Sequence, residues 1–261
     1  MTELKPIVLV TGASAGLGAA LAEGFAERGH SIVLVARRAA QLNEVADGIA
    51  AKGHERPHVI ALDLASPDAG DRLERALQEA GLEPEIVVNN AGFGLLGPAV
   101  KLDRAQQLAM VDLNVRIATD LALRFSDSLA RRKGGILNVA SVLGFLPGPG
   151  MAVYHATKAY LVSFSLALHQ EMKAKGIRVT VLCPGPIETE FAVRPVGYFA
   201  RRLTRPLEHV VRHGIAGFLA GEPVVVPGKD NKVLTVLARL LPRWLTLSMV
   251  GNSKRRRFEA T

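Results

Sequence analysis

Short apolar runs alternate with helix-length stretches through most of the chain, and the first junction between them is built of glycine. Ile7–Thr11 is apolar, the chain then passes Gly12, Gly16 and Gly18, and Ala19–Arg28 follows at helical spacing. Ser31–Ala36, His58–Leu62, Glu85–Asn89, Gly134–Ala140, Ile177–Cys183 and Pro223–Val226 read as further strands. Ala39–Lys52, Pro67–Ala80, Asp103–Arg132 and Met151–Lys175 read as helices between them. Strands that are apolar at nearly every position suit a parallel sheet buried on both faces. The order therefore predicts one doubly wound α/β domain, with ligands bound outside the carboxyl ends of its strands.

With 261 residues, 49% hydrophobic and 21% charged, the chain has enough apolar content for a large core and lacks the charge excess of a disordered one. Cys183 is the one cysteine, so an internal disulfide is excluded and a reducing, cytoplasmic setting is expected. Met1–Lys5 run straight into apolar sequence, and no secretory signal is read there. The net charge of +8 is lopsided, because residues 191–261 hold 13 of the 32 basic residues and only 4 of the 24 acidic ones. A nucleic-acid-binding domain pairs such charge with exposed aromatics or a base-reading helix. Neither is evident, and no nucleic-acid partner is expected.

The glycine junction reads Thr11-Gly12-Ala13-Ser14-Ala15-Gly16-Leu17-Gly18. Glycines at a strand-to-helix turn let the backbone approach a pyrophosphate, which the helix N-terminus holds through free N–H groups. A tight turn with no ligand has the same composition, but its place after the first strand of an alternating domain favours the phosphate reading. The second strand ends Val35-Ala36-Arg37-Arg38. Ala36 stands where a carboxylate would bind ribose hydroxyls and repel a 2′-phosphate. Arg37 and Arg38 can instead pair with that phosphate, which points to NADP(H) over NAD(H).

Tyr154 and Lys158 stand four apart in Tyr-His-Ala-Thr-Lys on a predicted helix, so they share a face. An unperturbed Tyr ionises near ~10, and a neighbouring ammonium favours the phenolate, as general acid–base work requires. Ser141 ends the preceding strand, where its hydroxyl can meet a substrate carbonyl, and Asn114 lies in the helix before it. Tyr-x-x-x-Lys alone is common on helix surfaces, so the pair gains weight only from its company.

That company is specific. Thr11–Gly18, Asn89-Asn90-Ala91-Gly92, Asn114, Ser141, Tyr154 with Lys158 and Pro184-Gly185 together resemble the short-chain dehydrogenase/reductase family, in order and spacing, over roughly residues 5–190. The likeness is to the single-domain branch and implies a Rossmann-type, mainly parallel seven-stranded sheet with helices on both faces. It implies Asn114, Ser141, Tyr154 and Lys158 as the catalytic set: Tyr154 exchanging a proton, Ser141 orienting the oxygen, Lys158 lowering the Tyr pKa and holding ribose, Asn114 keeping a water. It also implies cofactor contacts from Gly12, Ser14, Ala15, Gly16, Leu17 and Gly18, from Asp63 and Leu64 at adenine, and from Asn90, Ala91 and Gly92 at ribose. Pro184, Gly185, Ile187 and Thr189 would flank the nicotinamide. The activity implied is an NADP-dependent reductase or dehydrogenase acting on CH–OH groups, and relatives associate through two long helices, so a homodimer or homotetramer is expected.

Phe93, Leu95, Leu96, Leu143–Pro147 and Phe191–Phe199 give the expected pocket an apolar lining. That suits an aliphatic or steroid-like ketone, a long-chain aldehyde or a 3-oxoacyl thioester, without choosing among them. A non-catalytic NADP-binding scaffold or redox sensor is the alternative on the same fold. His155 and Cys183 read as packing residues, and His30, His54 and His58 as surface ones without metal-ligand spacing, so no metal is expected. Residues 1–228 are taken as the cofactor-binding domain, with a substrate loop at about 190–220. Residues 229–261 are taken as an extension packed on the same domain or a partner. In it Val233, Leu237, Leu240, Leu241 and Trp244 form an apolar stripe before Ser253–Arg257, a pattern that fits oligomer packing or peripheral membrane contact.

Overall fold

A computed structural model describes residues 4–187, 204–242 and 246–247. Its seven strands are all parallel and stand in the order β3-β2-β1-β4-β5-β6-β7. They are β1 (Lys5–Thr11), β2 (Ile32–Ala36), β3 (His58–Ala61), β4 (Leu82–Asn89), β5 (Gly135–Val139), β6 (Arg178–Leu182) and β7 (Val224–Val225). The strand order reverses between β1 and β4, and the crevice at their carboxyl ends is where such sheets receive ligands. β4 begins earlier than Glu85 because Leu82 pairs with Lys5, and the register slips between Ile7 and Val8 at Pro84, which has no N–H for the ladder.

Helices α1 (Gly16–Ala26), α2 (Ala39–Ala51) and α8 (Leu207–Leu219) cover one face of the sheet. Leu21, Phe25, Leu42 and Phe218 are buried there, and the Phe25 and Phe218 rings meet edge to face at 6.1 Å. Helices α3 (Ala69–Glu79), α4 (Arg104–Val111), α5 (Ile117–Arg124), α6 (Ser126–Arg132) and α7 (Ala152–Lys173) complete the chain up to β6, and α3, α5, α6 and α7 bury Leu73, Leu121, Leu129 and Leu168 on the other face. α3 shows the logic: Leu73 and Leu77 face the core while Asp71, Arg72, Glu74 and Arg75 stay outside.

Two expectations change. The helix read over Asp103–Arg132 is three helices: a π turn at Asp112–Arg116 separates α4 from α5, and Phe125 leaves helical geometry before α6. The stretch read as a loop at about 190–220 holds α8, whose Val210, Val211, Ile215 and Phe218 are core residues.

After β7 comes α9 (Lys229–Leu240), which turns Asn231 and Thr235 inward. Leu234 packs against the buried cluster that holds Val142, Cys183 and Val226. Val233, Leu237 and Leu240, three members of the apolar stripe, face outward instead, while Trp244 and Ser253–Arg257 lie outside the described residues. Among the described residues no helix is long and apolar enough to cross a membrane.

Candidate active site

The glycine turn at the end of β1 can only be built from glycine. Gly12 and Gly16 have φ of 65° and 57°. A Cβ on Gly12 would sit 2.8 Å from Ala91 Cα, and one on Gly18 would sit 2.4 Å from the Gly12 oxygen. α1 starts at Gly16 with no side-chain cap, so its first N–H groups are left for a ligand. Ser14 stands on the rim of the turn, and exposed Arg38 donates to its Oγ from Nη2 at 3.0 Å and from Nε at 3.3 Å. Arg37 is exposed beside it. The cationic end of β2 is thus drawn over the glycine turn.

Thr11 ties the turn to β4. Its Oγ1 accepts from the Asn90 and Ala91 N–H groups, both at 3.0 Å, and Asn90 Nδ2 returns a bond to Thr11 O at 2.9 Å. The strap that follows, Asn90–Gly94, spans the two halves of the site. A Cβ on Gly92 would stand 2.8 Å from Asn114 Oδ1 and 3.6 Å from Lys158 Nζ, and one on Gly94 would stand 3.0 Å from Tyr154 Cδ2. Phosphate turn, strap and catalytic candidates therefore form one surface.

Asn114 is fully buried in the π turn. Its Nδ2 donates to Phe93 O at 3.0 Å and to Thr157 Oγ1 at 3.1 Å, and its Oδ1 accepts from Phe93 N–H at 3.0 Å. Ser141 follows β5, and its Oγ accepts from Leu143 N–H at 3.2 Å, capping the 3₁₀ turn Val142–Phe145. Tyr154 and Lys158, on the first turns of α7, are both buried. Lys158 Nζ donates to Val139 O at 2.8 Å and lies 5.8 Å from the centre of the Tyr154 ring.

The electrostatics correct one expectation. Burial pushes the Tyr154 phenol up to about 12, against a smaller downward pull from its hydrogen bond with Ser141. Burial also brings the Lys158 ammonium down to about 8. Loss of water dominates both groups, so Tyr154 is a protonated phenol at neutral pH.

Pro184 and Gly185 follow β6, and Pro184 O accepts from Val142 N–H at 3.0 Å, joining the two loops at the carboxyl edge. Gly185 lies against Asn231 of α9: a Cβ there would stand 2.6 Å from Asn231 Nδ2. Ile187 pairs with Arg205, while Thr189 and Phe191–Phe199 lie outside the described residues. Asp63 and Leu64 sit in the loop after β3, Leu64 buried and the Asp63 carboxylate accepting from Ala65 N–H at 3.1 Å.

Leu95, Leu143 and Phe145 are half-buried near Ser141 and Tyr154, and Phe145 carries the Arg239 guanidinium of α9 on its ring at 4.8 Å. His155 is buried and bonded through Nδ1 to Leu146 O at 2.7 Å, while burial pushes the Cys183 thiol up to about 12. His30 is not simply a surface residue, since it is half-buried and paired with Glu85 at 2.6 Å. Among the described residues no cluster could hold a metal ion.

Sequence reasoning missed Gly94, Thr157 and Asn231. Gly94 and Thr157 adjoin quoted motifs and were legible as neighbours. Asn231 has no motif around it, and only the return of α9 to β6 reveals it.

The model of the short chain dehydrogenase family matches residues 6–195. Serine 3-dehydrogenase of Agrobacterium fabrum is 35% identical over 191 residues, 73% of this chain and 75% of that protein. The very-long-chain 3-oxoacyl-CoA reductase of Bos taurus is 32% identical over 262 residues, covering 96% of this chain and 81% of that protein. A short-chain dehydrogenase from Sphingobium yanoikuyae, solved in complex with NADPH, superposes with a TM-score of 0.78 at 30% identity, covering 96% of this chain and 95% of that one. The fold agrees with these likenesses, and the chain belongs to the short-chain dehydrogenase family.

Proposed function

We propose that this protein is an NADP(H)-dependent oxidoreductase interconverting an apolar carbonyl compound and its alcohol. One observation carries the reading: the Asn90–Gly94 strap packs against the phosphate turn at Gly12 and against Asn114, Lys158 and Tyr154. A cofactor lying along the strap is thereby bound beside a buried phenol.

The residues fit the cofactor. The turn admits no Cβ at Gly12 or Gly18, the first N–H groups of α1 would receive an anion, and Arg38 with Ser14 would form a cationic rim for a 2′-phosphate. NADPH bound there would supply the hydride. Tyr154, protonated at neutral pH, donates its proton to the carbonyl oxygen on reduction and accepts it on oxidation. Ser141 orients that oxygen. Lys158, with a pKa near working pH, carries charge beside the phenol, and Asn114 holds the strap through Phe93.

The half-buried apolar side chains around Ser141 support a bulky aliphatic, polycyclic or 3-oxoacyl substrate. Leu108, Leu123 and Tyr160, exposed on α4, α5 and α7, support association of identical subunits through these helices.

The test is NADPH oxidation followed by absorbance against apolar aldehydes, ketones and 3-oxoacyl thioesters, with NADH in parallel. Turnover with NADPH, abolished in Tyr154→Phe while NADPH still binds, is the expected result. Failure of the parent chain to bind NADPH, or undiminished turnover in Tyr154→Phe, overturns the reading.

A further inference from the structure

Arg116 closes the π turn that carries Asn114, yet apart from one bond to Asp112 within that turn its guanidinium reaches a different loop. Nε donates to Asp112 Oδ1 at 3.0 Å, which fixes the plane of the group. Nη2 donates to Ala65 O at 3.1 Å and Ser66 O at 2.8 Å, and Nη1 reaches Pro67 O at 3.4 Å. Three successive carbonyls of the loop after β3 thus converge on one side chain from a different part of the fold.

Leu62 N–H ties the start of that loop to Ala36 O at 2.9 Å, and the bonds that follow are local. Asp63 Oδ1 accepts from Ala65 N–H at 3.1 Å, and Ser66 Oγ donates to Asp63 O at 2.7 Å. These bonds shape the turn but do not hold it against the sheet. A planar guanidinium with several donors in fixed directions suits the task, since aiming three carbonyls one way sets the orientation of the peptide units between them. Asp63 and Leu64 lie at the start of the same loop, at the carboxyl end of β3, where the adenine of a bound NADP(H) would rest.

We infer that Arg116 is a positioning residue for the adenine end of the cofactor site, pinning the Asp63–Pro67 loop to the π turn. The inference rests on the cofactor reading above, but not on the carbonyl substrate. It is a role in binding exerted through Asp63 and Leu64, with no contact between Arg116 and the cofactor.

The test uses the full chain and 2′,5′-ADP, which occupies only the adenine half. Calorimetry should show Arg116→Ala binding it about tenfold more weakly, and Arg116→Lys about threefold, because an ammonium cannot serve three carbonyls. Hydrogen exchange without ligand should speed up in peptides spanning residues 62–70 of either variant. Arg116→Lys, the smaller change, carries the test by itself if the alanine variant does not fold. Affinity within twofold of the parent, or unchanged exchange in that segment, overturns the inference. A parent chain that fails to bind 2′,5′-ADP overturns the cofactor reading instead, and the exchange comparison still decides whether Arg116 pins the loop.

Discussion

Lys158 spends its ammonium on the Val139 carbonyl, 2.8 Å away, while its Nζ stands 5.8 Å from the centre of the Tyr154 ring. Lys158 is thus a buried cation bonded to a backbone oxygen, and burial holds it down to about 8.

Replacing Lys158 by Met should therefore abolish turnover and stabilise the ligand-free protein. Depression of the lysine pKa to about 8 corresponds to a cost on the order of 3 kcal/mol for the charged form. Losing the Val139 hydrogen bond offsets roughly 1 kcal/mol of that. The net gain, on the order of 1–2 kcal/mol, should raise the melting temperature by about 2–8 °C at pH 7. The sign with pH follows from a folded pKa below the unfolded one. Below about 8 both states are protonated and the cost is complete; between there and the ordinary lysine value of 10.5 the unfolded chain binds more protons and the parent gains stability. The advantage of Lys158→Met should shrink over that window in thermal melts, and an advantage that grows would sink the account.

Gly92→Ala should strike the catalytic side of the site. The new Cβ would lie 2.8 Å from Asn114 Oδ1, which already accepts the Phe93 N–H at 3.0 Å, so strap or side chain must move. Overpacking of this kind costs about 1–3 kcal/mol. At saturating NADPH, kcat should fall at least tenfold. Gly48→Ala, in α2 with open space around the new carbon, should instead stabilise the fold by about 0.5–1 kcal/mol. Urea titrations of both variants beside steady-state rates check the contrast.

How much of this could be read from sequence divides along local and non-local lines. The strands were legible because β1, β2 and β5 are apolar along nearly their whole length, which only a sheet covered twice requires. The glycine turn and the Tyr154–Lys158 pair were legible because spacing fixes which way they face. Depth is not written in spacing. The four-residue interval places an ammonium near a phenol, but cannot say that both are buried on the inner face of α7, with burial dominating their protonation. Nor does periodicity betray a π turn. Leu108, Val111, Leu113 and Ile117 continue an apolar rhythm, while the backbone widens at Asp112–Arg116 to turn Asn114 toward Phe93. In α9 the apolar stripe faces outward at Val233, Leu237 and Leu240, while the inward residues are the polar Asn231 and Thr235, which no apolar rhythm marks.

Arg38→Ala should separate the two nicotinamide cofactors. Arg38 already reaches Ser14 Oγ at 3.0 Å on the rim of the phosphate turn, with Ala36 leaving no carboxylate nearby at the end of β2. A charge-assisted hydrogen bond contributes roughly 1.5–3 kcal/mol. Loss of the guanidinium should then raise the KM for NADPH by about 10- to 100-fold and leave that for NADH within about twofold. Equal losses for both would remove the 2′-phosphate role from Arg38 and leave Tyr154 untouched.

Asn231 offers the sharpest test of whether α9 belongs to the site. Its Nδ2 donates to Pro227 O at 2.8 Å from a fully buried position, and its amide lies where a side chain on Gly185 would otherwise stand. Asn231→Ala removes that donor from a buried carbonyl, a loss of about 1–3 kcal/mol, and opens space behind Pro184-Gly185. Asn231→Asp keeps the shape but turns a carboxylate oxygen toward the Pro227 carbonyl in a site that cannot hydrate it, so it should be the less stable of the two. If α9 backs the nicotinamide end of the site, cofactor affinity should fall in the same order, parent above alanine above aspartate. Calorimetric Kd values for NADPH set beside urea midpoints check it. Stability that falls while NADPH affinity holds would make α9 a structural cover with no part in the site.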